Sequence, residues 1–311
     1  MMRSGCVSEA QREGQASGGD GLAHFRAFLL DLDGVVYRGE RLLAGARELV
    51  DWADATGRRV LFLSNNSFAT VDEVAAKLAR LGVARPQGRT LTAGYAASQA
   101  IAQRFPGGSV YALAVPSVAG MLREAGLRLV ADEAPTGGAP TGARVNGEPT
   151  HSVTPHHDER PDAVLVGLDR TLTYARLRQA LRAILAGSAF YAVNRDPRLP
   201  IEDGFEPGTG SLVAALEYAS GMSAEVIGKP GPGIVYQALK RIEATADETL
   251  MIGDALDLDV VAGHAAGLAT ALVLSGLSAP QDAAAATGAR KPEYVFADLA
   301  ALLAALRASA R

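Results

Sequence analysis

Asp31 and Asp33 stand two residues apart at the end of a short apolar run, in the stretch Asp31-Leu32-Asp33-Gly34. Side chains at i and i+2 of a strand point the same way, so this spacing lets both carboxylates face one site. Two close carboxylates repel unless a cation or a proton compensates, and a divalent ion is the simplest compensation. On these residues alone an Asp-x-Asp-Gly turn or a calcium loop stays open as well. Three more polar clusters follow: Ser64-Asn65-Asn66-Ser67, Gly228-Lys229-Pro230, and Gly253-Asp254 with Asp257 and Asp259 just beyond. Each has a plainer reading by itself: a turn or helix cap, a solvated surface lysine, and acids at an exposed helix start where the dipole favours them.

The elements that carry these clusters follow one rhythm. Ala27 to Leu32 is a buried strand by its continuous apolar run, and Arg59 to Leu63 is a second. Between and after them, Ala44 to Ala55 and Thr70 to Leu81 carry apolar residues at helical spacing, the first as Ala46, Leu49, Val50 and Ala53. Late in the chain the pattern returns, with strands at Ala224 to Ile227, Leu250 to Ile252 and Ala269 to Leu274 and a helix at Ile234 to Ile242. Strand alternating with helix predicts a parallel sheet, and each polar cluster sits at the carboxyl end of its strand. Ligands bind at that end in open α/β sheets, so four distant segments converge on one crevice.

The middle of the chain, 92–204, has its own strands at Val110 to Val115, Ala163 to Val166 and Phe190 to Val193 and a helix at Tyr174 to Leu185. It reads as an inserted second α/β domain, with 24–91 and 205–311 forming the first. Within it, 131–160 is rich in Gly, Pro and Thr without periodicity and reads as a long flexible loop. With 311 residues, a two-part architecture is expected, since single cores stop growing near this size. A formal net charge of -4 argues against a nucleic-acid surface and for a small-molecule partner. The lone cysteine, Cys6, permits no disulfide framework within one chain. Residues 1–23 read as a disordered tail without the apolar run of a signal peptide, and no later segment is a spanning helix, so a cytoplasmic enzyme is expected.

Taken in order, the four clusters resemble the four motifs of the haloacid dehalogenase superfamily: DLDGVVYRG the first, SNNS the second, the lysine of GKP the third and GDALDLD the fourth. The long insertion after the second motif, with VGLDR, PGTGSLVAAL and AGLATALVLSG, is similar to subfamily IIA, which holds p-nitrophenyl phosphatase, phosphoglycolate phosphatase and the NagD-type phosphatases. The resemblance runs from about Phe25 onward. It implies a Rossmann-like α/β core with an inserted α/β cap of the C2 type, and an Mg²⁺-dependent phosphatase acting through an aspartyl phosphate. Asp31 would then be the nucleophile and Asp33 the acid that protonates the leaving oxygen and later deprotonates water. The dehalogenases of the same superfamily lack that second acid. Ser64, the backbone of Asn65, and Lys229 would hold the phosphoryl oxygens. Asp31, the carbonyl of Asp33 and Asp254 would bind Mg²⁺, since an all-oxygen shell suits it better than Zn²⁺. Asp259, at the second acidic position of the Gly-Asp-x-x-x-x-Asp pattern, would ligate the ion or orient a ligand, with Asp257 the alternative.

The same resemblance implies a small phosphorylated metabolite as substrate, among phosphoglycolate, glycerol phosphate, nucleoside monophosphates, sugar phosphates and pyridoxal phosphate, and a homodimer formed through the cap. A phosphomutase on a sugar phosphate and a non-catalytic phospho-ligand binder are the competing classes. A large α/β insertion is unlike the small helical cap usual in mutases, and none of Asp31, Asp33, Lys229 or Asp254 is missing, as a mere binder would allow. His151, His156, His157 and Asp158 read as solvated loop, and Gly208-Thr209-Gly210 as a tight entry turn without the Lys-Ser/Thr of a nucleotide loop. His264 reads as packed or solvated. Val193-Asn194-Arg195-Asp196 departs from the subfamily's Thr-Asn-Pro-Asp near the expected cap hinge, and the 131–160 loop is longer than the subfamily's.

Overall fold

The computed structural model describes residues 21–131, 160–201 and 203–310. Cys6, His151, His156, His157 and Asp158, and the interior of the expected 131–160 loop, lie outside the described residues.

Six parallel strands form the first sheet, in the order Tyr294–Phe296, Ala269–Val273, Thr249–Gly253, Ala27–Asp31, Arg59–Ser64, Thr90–Thr92. Ala27–Asp31 is central, and all five of its residues are buried, because helices cover both faces of the sheet. Its register sets Asp31 opposite Leu63, and Leu30 opposite Ile252. Asp31, Ser64 and Asp254 therefore reach the same end of the sheet within about one residue of each other.

Helix Ala46–Ala55 buries Ala46, Leu49, Val50 and Ala53, the stripe its sequence spacing predicts. Helix Val71–Arg80 starts in a capping box, with the Thr70 side chain accepting from the Glu73 N–H while Glu73 reaches back to Thr70, and it buries Val74, Ala75 and Leu78. With helix Leu299–Ser309 they close one face of the sheet around Phe28, Leu30, Phe62 and Ile252. Each such fully buried side chain contributes about 1.5–3 kcal/mol.

Five parallel strands form the second sheet, in the order Glu225–Val226, Ala189–Ala192, Ala163–Val166, Ser109–Leu113, Arg128–Leu129. Helices Ala93–Arg104 and Gly233–Ile242 belong to an apolar cluster that also takes in Leu61, Leu63 and Met251 of the first sheet and Val110, Leu165 and Tyr191 of the second. The two sheets thus share buried surface and are joined by more than their linkers.

Three expectations are corrected. The strand Glu225–Val226 pairs with Ala189–Ala192, so the second sheet draws its edge from beyond the expected boundary at residue 204. Leu22 is buried in the first core, so residues 21–23 belong to the packed chain and not to a tail. The first strand stops at Asp31, not Leu32. Among the described residues no helix is long and apolar enough to cross a membrane.

Candidate active site

The carboxyl end of the first sheet gathers Asp31, Ser64, Lys229, Asp254 and Asp259, all buried. Lys229 comes from the turn after Glu225–Val226 and is 2% exposed. Its Nζ donates to Asp31 Oδ1 in a short contact and to Asp259 Oδ1 at 2.7 Å. Burial alone would lower the lysine's pKa, but Asp259 and Asp31 outweigh it and drive it well up, so the amine is held as ammonium. Burial pushes the Asp31 carboxyl well above the usual range against the pull of Lys229, with Asp259 and Asp254 adding repulsion. Burial, then Asp259, raises Asp254 to about 6.

Asp259 sits on a single π-helical turn, Leu256–Val260, which follows the strand Thr249–Gly253. Its Oδ2 accepts from the N–H groups of Asp254 at 3.1 Å and Ala255 at 3.0 Å. Both of its oxygens are thereby engaged, which makes it an anchor for Lys229 and for the Asp254 backbone. Gly253 is obligatory there, since a Cβ would lie 2.1 Å from that of Asp259. Asp257 points outward into an ion pair with Arg290 at 2.6 Å, so the alternative acid is not part of the site.

Asp254 Oδ2 accepts from the Leu277 N–H at 2.7 Å, and Ser275 Oγ donates to the Gly34 carbonyl at 2.7 Å. The 275–278 turn thus braces Asp254 and the Gly34 backbone next to Asp33. It lies after the strand Ala269–Val273, so the same strand-end rule that marks the four motifs would have marked it.

Asp33 lies beyond the strand, in a turn that Gly34 closes with φ +84°. It is exposed at the mouth, and the expected strand alternation is not what presents it. Partial desolvation raises its carboxyl, with Lys77 and a hydrogen bond from the Tyr37 hydroxyl at 3.4 Å pulling the other way. Lys77 Nζ stands 3.9 Å above the Tyr37 ring. Neither Tyr37 nor Lys77 is singled out by the sequence.

Ser64 Oγ accepts from the Asn66 N–H at 3.2 Å, a local turn at the strand end. Asn65 turns its side chain toward Asp196 and the Lys229 carbonyl, the latter at 3.2 Å. Gly208 and Gly210 face the 195–196 backbone, where a Cβ would lie 2.2 Å from the Asp196 carbonyl and 2.4 Å from that of Arg195. This accounts for the glycine pair as close packing. His264 contacts the Ala289 carbonyl at 2.8 Å and Glu293 at 3.0 Å, away from the acids.

Asp31, Asp254 and Asp259 each offer a carboxylate oxygen, the three atoms lying within 4.8 Å of one another. One ammonium compensates one of these three charges, and the donors are all oxygen. This set fits a hard divalent cation. Gly34 and Gly276 leave room around it, since a Cβ on either would lie 2.2 or 1.7 Å from Asp254 Oδ2.

The corresponding end of the second sheet holds a cavity of about 600 Å³, walled by Ala114, Val115 and Leu129 and by Arg123, Arg170 and Arg176. Arg176 is paired with Asp169. Arg170 is held by Glu206, with contacts at 3.1 Å, and its guanidinium lies 5.9 Å from the ring of Phe68, just past the Ser64 turn.

Residues 28–128 match the haloacid dehalogenase-like hydrolase family, and residues 226–302 match a second HAD hydrolase-like family model. Human chronophin is 36% identical over 284 residues, covering 89% of this chain and 90% of that protein. The structure of p-nitrophenyl phosphatase from Archaeoglobus fulgidus superposes with a TM-score of 0.77 at 29% identity, covering 91% of this chain and 99% of that one. Glycerol phosphate phosphatase from Mycobacterium tuberculosis, solved with magnesium, superposes with a TM-score of 0.73 at 35% identity, over 90% of this chain and 76% of that one.

Proposed function

The chain belongs to the haloacid dehalogenase-like hydrolases and is a phosphoric monoester hydrolase among them, and we propose that it releases phosphate from a small phosphorylated metabolite through a phosphoryl group carried on Asp31. The observation that carries this reading is the buried contact of Lys229 with Asp31 and Asp259, beside Asp254, at one end of the sheet.

A carboxylate oxygen of Asp31 attacks phosphorus as the ester P–O bond breaks. The departing oxygen takes a proton from Asp33, whose carboxyl partial burial raises in the direction that favours the protonated acid. Water then loses a proton to Asp33 and displaces Asp31 from phosphorus, giving inorganic phosphate and restoring both acids. Lys229, Ser64 and the Asn65 backbone hold the phosphoryl oxygens, and Lys229 supplies the positive charge that the transition state needs. Asp31, Asp254 and the carbonyl of Asp33 would hold Mg²⁺, with Asp259 fixing the Asp254 backbone and Lys229. When bound, the ion supplies charge neutralisation on the phosphoryl oxygens. The second sheet closes over this end as a cap, and its arginine-lined cavity reads the part of the substrate that leaves.

The reading includes a cytoplasmic location, checked by cell fractionation, and a homodimer paired through the cap. Tyr174 and Leu185 of helix Tyr174–Leu185, and Tyr218 of helix Thr209–Ser220, which packs on the second sheet, leave apolar surface exposed, in support of the dimer. A light-scattering mass of one chain would overturn the dimer. The reaction is tested by phosphate release from 4-nitrophenyl phosphate and a panel of small phosphomonoesters, with and without Mg²⁺. Turnover that needs the ion and vanishes in Asp31→Asn is expected; no release from any ester would sink the reading.

A further inference from the structure

Asp196 is an acid near the site that the reaction above does not use. It follows the strand Ala189–Ala192 of the second sheet, on the segment that runs on to the strand pair Arg198–Ile201 and Gly204–Pro207. Its carboxylate accepts from Asn65 Nδ2 at 3.2 and 3.3 Å and from Asn194 Nδ2 at 2.9 Å. Those amides reach further. Asn194 Nδ2 also donates to the Asn65 carbonyl at 2.7 Å, and Asn65 Nδ2 to the Lys229 carbonyl at 3.2 Å. One carboxylate thus organises the backbone of two residues that would hold the phosphoryl group.

The acceptor ends of both amides, Asn65 Oδ1 and Asn194 Oδ1, are buried without a hydrogen-bond partner. Turning either amide over would set its carbonyl against the Asp196 carboxylate. The orphaned oxygens therefore show which interaction fixes the network: the donors are committed to Asp196 and the backbone, and the acceptors go unmatched. The 193–196 segment is itself pinned from two sides. The Gly228 N–H donates to the Val193 carbonyl at 2.8 Å, and the Gly210 N–H to the Asp196 carbonyl at 2.9 Å. Gly228 and Gly210 both lack the side chain that would prevent this approach.

We propose that Asp196 is a positioning residue for the phosphate site: through Asn65 and Asn194 it sets the Asn65 peptide and Lys229, and it ties their placement to the segment that follows Ala189–Ala192 in the second sheet. The proposal rests on the phosphatase reading above. It is tested by calorimetric titration of inorganic phosphate, at saturating Mg²⁺, into the wild-type protein, Asp196→Ala, Asn65→Ala and the double variant, with thermal unfolding of each. Each single change weakens phosphate binding by about tenfold, and because the two residues act as one unit the double variant stays within about twofold of Asn65→Ala. The Mg²⁺ half-saturation does not move. Wild-type affinity in Asp196→Ala, or losses that multiply in the double variant, would overturn the proposal. Should Asp196→Ala not fold, Asp196→Asn keeps the volume but offers one acceptor, and an affinity equal to wild type there overturns it as well. A wild-type protein that neither binds phosphate nor hydrolyses any ester defeats the phosphatase reading and this proposal together. Additive losses in an active enzyme defeat this proposal alone.

Discussion

At the carboxyl end of the first sheet, strands stop in groups that carry or bind charge: Asp31, Ser64 and, one residue on, Asp254. At the same end of the second sheet, Ser109–Leu113 and Ala163–Val166 run out into Ala114-Val115-Pro116 and Gly167-Leu168-Asp169-Arg170. Both ends are crevices of a parallel sheet, as the geometry of such sheets requires. One is filled by buried charged side chains, Asp31, Asp254, Asp259 and Lys229, and the other is a cavity with arginines on its wall. The backbone therefore supplies a place, and two or three residues after each strand decide whether it does chemistry or recognition.

If that division holds, changes at the two ends differ in kind as well as in size. Asp31→Asn removes the attacking oxygen's charge and is expected to lower kcat by about 10⁴-fold on every ester, measured as phosphate release. An Asp31→Asn enzyme that retained a tenth of its activity would break the distinction. Asp254→Asn is expected to raise the Mg²⁺ concentration at half-maximal activity by at least about tenfold.

The same residue gives a pH signature. Asp254 moves from an ordinary 3.8 to about 6 in the folded protein. Below 3.8 the proton is bound in both states, and between 3.8 and about 6 the folded state binds it more tightly. Metal-free stability from this group is thus full at low pH and lost as pH rises through about 6. In EDTA the unfolding midpoint should fall between pH 5 and pH 7, Asp254→Asn should fall less, and Mg²⁺ should restore more at pH 7 than at pH 5. Equal slopes in wild type and variant would contradict it.

The smallest effect lies in the second sheet. Arg170→Ala is expected to change KM across a panel of esters by about three- to tenfold, unevenly, with kcat on 4-nitrophenyl phosphate within about twofold. A uniform loss of kcat would move Arg170 into the reacting centre and erase the contrast.

Much of this was legible in the sequence because it is local. The apolar stripe of Ala46, Leu49, Val50 and Ala53 and the strand-end positions of Asp31, Lys229 and Asp254 follow from periodicity and punctuation. What escaped is set by partners far away. Glu225–Val226 reads as a strand, but nothing within it says that Ala189–Ala192 is its neighbour. Asn194 and Asp196 read only as part of the expected cap hinge until Asn65, 131 residues before Asp196, is beside them. Asp33 reads as the next inward position of a strand, whereas the chain has already turned at Gly34. Asp257 and Asp259 are separable only once the π-helical turn sends one outward to Arg290 and the other inward to Lys229.

The strand order has a consequence for synthesis. Ala27–Asp31 needs Thr249–Gly253 as its neighbour, and Lys229 lies 198 residues after Asp31. At the usual speed of translation, roughly ten to forty seconds pass between the emergence of the two. In that interval the second sheet, finished at Val226, is completed inside a first sheet that is still half made. The waiting strands Ala27–Asp31 and Arg59–Ser64 are two of the most apolar runs in the chain, with an open edge toward any neighbouring polypeptide. Arg26, Asp31, Arg58 and Arg59 stand at their ends, charges of the kind that discourage a nascent strand from pairing with the wrong one.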